Sequence, residues 1–310
     1  MGYKLAGYSV IGNCEIDPDM MKLYRANNHP EHSYLMDIRD FIKQRKEDIP
    51  EALKQLDILD GSPPCSVFSL AGDREEGWNV EKVFREGQAK QRLDDLFFYF
   101  IDAAKLLQPK VVIAENVKGM IIGAAKGWVN RIFKAFDEAG YEVQLFLLNA
   151  ARMGVPQRRE RVFFIAHRKD LPYPKLKMEF KEKPIPFRDV REPYGRELPD
   201  DTVTGKLMKY RIPSDRCLAD INRRITKSGS GFTSPINHDD EPIQTITAGG
   251  YCFRMCDGLR MTERDIISCQ TFPQDYDFMD QNVQYVCGMS VPPVMMARIA
   301  EQVYLQWLRS

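Results

Sequence analysis

Short apolar runs alternate with amphipathic stretches over residues 8–166, and this alternation constrains the fold more than any other feature of the chain. The apolar runs have the length of strands, and the stretches between them place apolar residues at helical spacing. Strands that alternate with helices are typical of a largely parallel sheet covered on both faces, so the sequence predicts an α/β fold. The predicted strands are residues 8–14, 56–60, 111–115, 141–149 and 161–168, and the predicted helices are 18–27, 90–107 and 127–139.

The pattern changes beyond residue 171, where four prolines fall between residues 172 and 186. Short charged segments and a Gly/Ser stretch follow, which is typical of a less regular domain. Helical patterning returns at 262–270 and 292–308. A chain of 310 residues is long enough for one large and one smaller domain. We therefore predict a first domain of residues 1–170 and 255–310 and a second, smaller domain of residues 171–254.

Charge is balanced over the whole chain, with 44 Lys and Arg against 44 Asp and Glu, but it is unevenly distributed. Residues 151–230 contain 20 Lys and Arg against 11 Asp and Glu. A basic region on an acidic body favours a protein that binds nucleic acid with one face. A solvated polar surface explains the same surplus equally well, so both interpretations stay open at this point.

Membrane, secreted and metal-binding classes are disfavoured by the sequence. No run approaches the ~18 apolar residues of a membrane span, and the first ten residues lack a signal-peptide pattern, so a cytoplasmic location is predicted. The seven cysteines are odd in number and scattered, which indicates reduced thiols. Cys252 and Cys256 have neither a second cysteine pair nor clustered histidines to complete a zinc site, so we expect no metal.

The segment Gly-Ser-Pro-Pro-Cys-Ser at 61–66 directly follows the predicted strand 56–60. Cys65 is therefore presented by a rigid Pro-Pro turn at the end of a parallel strand, where a nucleophile is well placed. A free cysteine is also common as a small buried apolar side chain, so this segment does not decide the matter alone.

Two further polar segments adjoin predicted strands of the same sheet. Glu115 ends the strand 111–115, and the run Gln-Arg-Arg-Glu-Arg at 157–161 begins a later strand. Taken singly, Glu115 is explained as a helix-capping carboxylate and the arginines as a surface ion-pair cluster. Together with Cys65 they bring a thiol, a carboxylate and a guanidinium around one cleft, because the ligand sites of such folds lie at strand ends.

These segments resemble the motifs of the DNA (cytosine-5)-methyltransferase family of bacteria and phages, and the resemblance covers nearly the whole chain. The motifs occur in the family's usual order. They are Pro64-Cys65, Glu115-Asn116-Val117, Gln157-x-Arg159-x-Arg161, Arg260-Met261-Thr262-x-Arg264, Gln270-Thr271-Phe272-Pro273 and Gly288-Met289-Ser290-Val291-Pro292-Pro293.

The resemblance implies a methyltransferase-type, Rossmann-like and mostly parallel sheet, with S-adenosyl-L-methionine as the cofactor. Residues 1–170 and 255–310 are then the catalytic domain, and residues 171–254 are the target-recognition domain. In this family the glutamate that matches Glu15 holds the ribose hydroxyls of the cofactor, and the segment that matches Asp37 contacts its adenine. The cofactor-binding residues implied in this way are Glu15, Ile16, Asp37, Ile38, Pro64, Phe68, Leu96, Ser290 and Val291.

The family's chemistry implies a role for each catalytic residue. Carbon 5 of cytosine is too weak a nucleophile to accept a methyl group until the thiolate of Cys65 adds to carbon 6. Arg159 and Arg161 favour this thiolate over the thiol, whose free pKa is about 8.5. Glu115, protonated or sharing a proton, hydrogen-bonds N3 of the ring. Structural roles at the site are implied for Pro64, Asn116 and Gln157.

Double-stranded DNA is the substrate that the resemblance implies. The cytosine is flipped out of the duplex, because the thiolate must reach carbon 6 from above the ring. The related RNA cytosine-5 methyltransferases share the nucleophile and the Glu-Asn-Val motif and are one alternative, and a truncated DNA-binding remnant without activity is another. A cognate restriction endonuclease of the same system is an implied partner, with an orphan role as its alternative. The oligomeric state is left open.

Two departures from the family fall on the cofactor side. Members begin with a strand that ends in Phe-x-Gly-x-Gly, whereas residues 1–8 match the helix after that loop. We therefore expect that the first strand and the glycine loop are missing from this sequence and that the 310 residues bind the cofactor poorly. A true start upstream of Met1 is the first explanation, and a truncated remnant or a strand supplied by another chain are its alternatives. Met289 stands where the final motif usually has asparagine, which removes hydrogen-bonding capacity.

Overall fold

The computed structural model of the protein describes residues 1–63, 95–122, 126–199, 201–227 and 234–309. The predicted site residues Pro64, Cys65 and Phe68 lie outside the described residues, as does the whole of residues 66–87, the stretch that resembles the family's mobile loop over the flipped base.

Strands and helices alternate along the first half of the chain, as the sequence predicts. The strands within the described residues are β1 Gly12–Glu15, β2 His32–Leu35, β3 Ile58–Gly61, β4 Val111–Val117, β5 Tyr141–Asn149, β6 Gln157–Arg158, β7 Glu160–Arg168, β8 Ile236–Asn237, β9 Ile243–Gln244 and β10 Phe253–Arg254. The helices are α1 Gly2–Leu5, α2 Pro18–Asn28, α3 Ile38–Phe41, α4 Leu96–Leu107, α5 Lys126–Glu138, α6 Val203–Met208, α7 Leu218–Thr226, α8 Glu263–Gln270, α9 Val283–Met289 and α10 Pro293–Val303, which continues as a π-helical turn at Tyr304–Leu308.

The chain divides into two compact units. The first, here called the sheet unit, consists of Ser9–Leu148, Glu160–Met178 and Gln302–Ser310. The second, here called the helical unit, consists of Met1–Tyr8, Asn149–Arg159 and Glu179–Glu301. These units are defined by packing alone, so the predicted catalytic and recognition domains stay a prediction.

The sheet unit contains a four-stranded sheet in the order β3, β4, β7, β5. Strands β3 and β4 run parallel, with Ile58 opposite Val111, whereas β4 and β7 run antiparallel. Strands β1 and β2 form a separate parallel pair, with Gly12 opposite His32. Within the described residues, β1 and β3 are therefore edge strands of two sheets. The predicted α/β class is confirmed, and the strand pairings are mostly parallel.

Burial of apolar runs explains why these segments form the core of the sheet unit. Residues 111–114 of β4 are entirely buried, which is the environment predicted for a continuous apolar strand in a covered sheet. Helices α4 and α5 pack on this sheet; for example, Phe97 meets Phe164 edge-to-face with ring centroids 5.2 Å apart. Helix α2 begins where predicted, because Asp17 caps the amide of Asp19 at 2.9 Å and Pro18 occupies the first turn.

The helical unit contains two short parallel pairs, β6 with β9 and β8 with β10. One of its cores brings α7 against β8 and β10 through buried Leu218, Ile221, Ile236 and Phe253. Helix α8 begins at a capping box between Thr262 and the buried Asp265. Among the residues that the structure describes, no helix is both long and apolar enough to span a membrane.

Candidate active site

Glu115 and Arg161 form a largely buried ion pair on the antiparallel strands β4 and β7. Arg161 Nε donates to Glu115 Oε1 at 2.9 Å, and the two side chains are only 15% and 13% exposed. Glu115 lies opposite Phe163, and Arg161 lies opposite Val117, so the pair is a diagonal contact on one face of the sheet. Burial lowers the pKa of Arg161, and the charge of Glu115 opposes this shift. Two of the residues predicted to share the site are therefore in contact.

Asn116 lies on the opposite face of β4 and connects this strand to the segment that precedes Cys65. Its side chain is buried, with Nδ2 donating to the carbonyl of Pro63 at 3.1 Å and Oδ1 accepting from the amide of Val117 at 2.9 Å. Pro63 is the last described residue before Pro64 and Cys65. The amide side chain thus holds the backbone two residues before the predicted nucleophile.

Gln157 lies in the helical unit, where its side-chain amide is fully buried and bonded on both sides. Its Nε2 donates to Oε1 of Gln270 at 2.6 Å, and its Oε1 accepts from the amide of Ile246 at 2.9 Å. Gln270 in turn donates to the carbonyl of Ser290 at 2.9 Å. A chain of amides therefore links β6 to the end of α8 and to the segment after α9. Gln270 belongs to the motif at 270–273, for which the sequence implies no role. Its hydrogen bond with Gln157 shows that it holds the Gln157 side chain in place.

Arg159 is also in the helical unit, and its guanidinium is buried against backbone carbonyls. Nη1 donates to Ile246 at 2.9 Å and Nη2 donates to Gly288 at 2.8 Å. The residue is only 1% exposed. These bonds hold two backbone segments together, whereas Arg161 pairs with a carboxylate, so the two arginines have different surroundings. The predicted action of Arg159 on the thiolate stays a prediction.

Gly288 has no room for a side chain, which leads to a stability prediction. A Cβ added there would overlap the backbone atoms of Thr247 and Ala248. Because backbone atoms cannot rotate away, Gly288→Ala is expected to destabilise the protein by about 1–3 kcal/mol. Thermal unfolding measures this, with Gly127→Ala in α5 as the control, since nothing lies within 4 Å of its added Cβ. Equal stability of the two variants would contradict the prediction.

Glu15, a predicted cofactor-binding residue, is the last residue of β1, and its carboxylate is hydrogen-bonded to the backbone that follows the strand. Glu15 Oε1 accepts from the amides of Ile16 and Asp17 at 2.7 and 2.8 Å. Burial raises the pKa of Glu15, and the two backbone hydrogen bonds only partly offset this. The neighbouring Cys14 thiol has its pKa raised to about 11 by desolvation and by nearby carboxylates.

Asp37 lies at the corresponding end of β2. Its carboxylate caps α3 by accepting from the amide of Arg39 at 2.8 Å and from Nε of Arg39 at 3.0 Å. Because β1 and β2 are parallel, with Glu15 opposite Leu35, Glu15 and Asp37 lie at the carboxyl ends of neighbouring strands. The structure therefore brings these two predicted cofactor residues to the same strand ends.

Apolar side chains lie near the carboxyl ends of β1 and β2. Ile16 is 44% exposed and Leu35 is 49% exposed, so both present apolar surface at the strand ends. Ile38 packs partly buried against the core that contains α4, and Leu96 is buried at the start of that helix. Leu35 was missed in the sequence because residues 32–35 show no strand-like alternation, and its position is evident only from its pairing with Glu15.

Ser290 and Val291 follow α9 in the helical unit. Ser290 Oγ donates to the carbonyl of Val286 at 2.6 Å, so its hydroxyl is engaged in the helix end. Val291 is partly buried, and the side chain of Met289 is 47% exposed. The predicted cofactor contacts of Ser290 and Val291 stay a prediction.

Comparison with known proteins gives a consistent result. Residues 1–305 match the family model of C-5 cytosine-specific DNA methylases. The chain is 31% identical to the Type II methyltransferase M.NgoPII of Neisseria gonorrhoeae, over 97% of this chain and 90% of that protein. It is also 31% identical to the Type II methyltransferase M.FnuDI of Fusobacterium nucleatum, over 81% of this chain and 67% of that protein.

A solved structure of a DNMT2 variant from Spodoptera frugiperda resembles the fold with a TM-score of 0.65. The alignment covers 98% of this chain and 95% of that chain, at 16% sequence identity. At this identity the likeness concerns the fold alone.

Proposed function

Because the chain belongs to the C-5 cytosine-specific DNA methylase family, we propose that it methylates carbon 5 of a cytosine flipped out of duplex DNA through a covalent adduct of Cys65. The observation that carries this proposal is the ion pair of Glu115 and Arg161 beside Asn116. Asn116 donates to the carbonyl of Pro63, so strand β4, which carries Glu115, is hydrogen-bonded to the backbone two residues before Cys65. The alternative explanation of Arg161 as part of a surface ion-pair cluster does not account for this pair, because only about one seventh of each side chain is exposed.

The covalent step begins with addition of the Cys65 thiolate to carbon 6, forming a C–S bond while the electron pair of the ring double bond moves toward carbon 5 and N3. Glu115 shares a proton with N3 and so offsets the negative charge that the addition creates. Arg161 holds the Glu115 side chain in position through Nε. After the methyl group is on carbon 5, loss of the carbon-5 proton to a base restores the double bond and expels the thiolate.

Cofactor binding is proposed at the carboxyl ends of β1 and β2. S-adenosylmethionine supplies the methyl group when bound. Glu15 fits the ribose hydroxyls as a carboxylate already oriented by two backbone amides, and the exposed Ile16 and Leu35 offer the apolar surface that an adenine ring needs.

Replacing Glu15 tests this cofactor site. Glu15→Gln is expected to weaken S-adenosylmethionine binding about 10- to 100-fold, because hydrogen bonds to a charged acceptor contribute ~1.5–3 kcal/mol. Isothermal titration calorimetry measures the affinity, with Glu51→Gln as a control, since Glu51 is an exposed carboxylate of the same unit. Equal affinity of the Glu15→Gln and unchanged proteins would contradict the assignment.

The same residue predicts a pH dependence of binding. Since the folded chain raises the pKa of Glu15 above its ordinary value of 4.5, the acceptor is lost by protonation at a pH higher than that of an exposed glutamate. Cofactor affinity should therefore fall as the pH falls through the raised pKa. Stability has the opposite sign: the protonated form favours the fold, and this contribution is lost as the pH rises through the same range. Glu15→Gln should remove both effects.

Duplex DNA is the proposed substrate, with residues 171–254 as the proposed recognition domain. The family is one of DNA methylases, and the surplus of Lys and Arg in residues 151–230 suits a polyanionic partner. A cognate restriction endonuclease is the proposed partner, because the relatives M.NgoPII and M.FnuDI are named Type II methyltransferases. No observation on the described residues favours RNA as the substrate.

The function is tested by incubating the full chain with methyl-labelled S-adenosylmethionine and either duplex DNA or RNA of mixed sequence. Label is expected in DNA alone, and mass spectrometry of the hydrolysed nucleosides should locate it in 5-methylcytosine. Label confined to RNA, or methylation of the exocyclic amine of cytosine, would contradict the proposal.

A further inference from the structure

Arg158 lies between two buried residues of the same motif, Gln157 and Arg159, and the proposed reaction assigns no role to it. Gln157 is fully buried and Arg159 is 1% exposed, whereas the Arg158 side chain is 43% exposed. Successive side chains of an extended segment point to opposite faces, so burial of the two neighbours places Arg158 on the surface. The exposure of the Arg158 side chain therefore follows from the burial of its two neighbours.

Arg158 shares one carboxylate with a second arginine. Arg158 Nη1 and Nη2 donate to the two oxygens of Glu241 at 3.2 and 3.4 Å, and Arg216 Nη1 donates to Glu241 Oε1. The Arg216 side chain is 53% exposed and that of Glu241 is 28% exposed. Two guanidinium groups on one carboxylate leave a net charge of about +1 on these three side chains, which we call the arginine pair site.

The backbone beneath both arginines is firmly held. Arg158 belongs to β6, and its carbonyl accepts from Thr245 Oγ1 at 2.8 Å. The carbonyl of Arg216 accepts from the amide of Ile236 at 2.8 Å and from Gln244 Nε2 at 2.7 Å. Both guanidinium groups therefore project from fixed positions, which lowers the entropy lost when they bind a ligand.

We infer that the arginine pair site binds a phosphate of the DNA backbone. Guanidinium groups match phosphate oxygens in a bidentate geometry, and an exposed ion pair is weak enough to exchange its acceptor. One carboxylate balances one guanidinium, as Asp239 does for Arg191 at 3.0 Å elsewhere in this unit. The second arginine at Glu241 leaves a positive charge that a phosphodiester, with its single negative charge, complements. This inference rests on the proposed function, because it assumes a DNA substrate.

The test is the salt dependence of binding to a duplex of mixed sequence, measured by fluorescence anisotropy with the full chain. Removing one phosphate contact changes the slope of log K against log salt by about 0.9. Arg158→Ala and Arg216→Ala should each lower the slope by about this amount, or about 3-fold in affinity for a 4-fold change in salt. Arg216→Lys, which keeps the charge, should retain the slope.

Two further variants separate a local contact from a general effect of charge. Arg45→Ala removes an arginine that is 78% exposed and paired with Asp48, so it changes the net charge equally at another place. It should leave the slope unchanged. Glu241→Gln keeps both arginines and removes the competing carboxylate, so DNA affinity at low salt should rise about 3-fold or more.

Unchanged slopes in the arginine variants, or equal effects of Arg45→Ala, would overturn the inference while methyl transfer by the unchanged protein still upheld the proposed function. Failure of the unchanged protein to bind duplex DNA would overturn both. If Arg158→Ala fails to fold, as judged by circular dichroism, Glu241→Gln still decides the matter, because unchanged affinity in that variant contradicts a phosphate site.

Discussion

Cys65→Ser is expected to reduce methyl transfer to duplex DNA by about 1000-fold or more while leaving the fold intact. A thiol with a pKa near 8.5 is a few per cent ionised at neutral pH, whereas an alcohol is too weakly ionised to add to carbon 6 of cytosine. Loss of a nucleophile that acts in concert with its neighbours removes most of the catalysis. Incorporation of labelled methyl groups measures the rate, and circular dichroism checks the fold.

The covalent adduct itself can be trapped. A duplex that contains 5-fluorocytosine should form a stable complex with the unchanged protein in the presence of S-adenosylmethionine, because fluorine on carbon 5 cannot leave as a proton. Mass spectrometry should locate the modification on the peptide that contains Cys65. The Cys65→Ser protein should form no such complex. Near-normal turnover in that variant, or an adduct on one of the other six cysteines, would contradict the assignment of the nucleophile.

Breaking the ion pair of Glu115 and Arg161 is expected to cost both activity and stability. Arg161→Met leaves the carboxylate of Glu115 at 13% exposure without its partner, and a largely buried charge left in this way destabilises a protein by about 2–3 kcal/mol. Methyl transfer should fall at least about 100-fold, because the carboxylate loses its fixed orientation toward the cytosine ring. Chemical denaturation and methyl incorporation measure the two effects.

Glu115→Gln separates the two contributions. This single variant should also lose methyl transfer, because an amide cannot share a proton with N3 as a carboxyl group does. In the double variant Glu115→Gln/Arg161→Met no unpaired charge remains, so it should be about 1–2 kcal/mol more stable than Arg161→Met while staying inactive.

A neighbouring pair provides the control for burial. Lys118 and Glu160 meet at 2.7 Å but are 36% and 40% exposed, so Lys118→Met should cost less than about 1 kcal/mol. A double variant no more stable than Arg161→Met, or a loss in Lys118→Met as large as that in Arg161→Met, would show that the stability effect does not arise from a buried charge.

The predicted elements that proved correct are those with a strong local signal. Strand β4 was expected at 111–115 and ends at Val117, because a continuous apolar run can be satisfied only by burial on both faces. Helix α2 was expected at 18–27 and ends at Asn28, since Asp17 and Pro18 determine its start from adjacent residues. Such signals need no information from distant parts of the chain.

The elements that were missed lack such signals. Strand β2 is His-Ser-Tyr-Leu, a short segment with little apolar alternation, and it is defined by its pairing with β1. Helix α7 lies in a region that reads as irregular, and its C-terminal half is exposed. Only Leu218, Ala219 and Ile221 are buried, too few to produce a clear helical period in the sequence.

The sequence by itself determined the α/β class, the family and the chemistry-bearing residue types, because these depend on local periodicity and on ordered motifs. Only the tertiary structure decided what each side chain contacts. Arg159 and Arg161 belong to one motif and share a predicted role, yet Arg161 pairs with Glu115 while Arg159 bonds the carbonyls of Ile246 and Gly288. These last partners lie 87 and 129 residues away, and a contact over such a separation arises from the packing of whole elements and leaves no mark in the spacing of neighbouring residues.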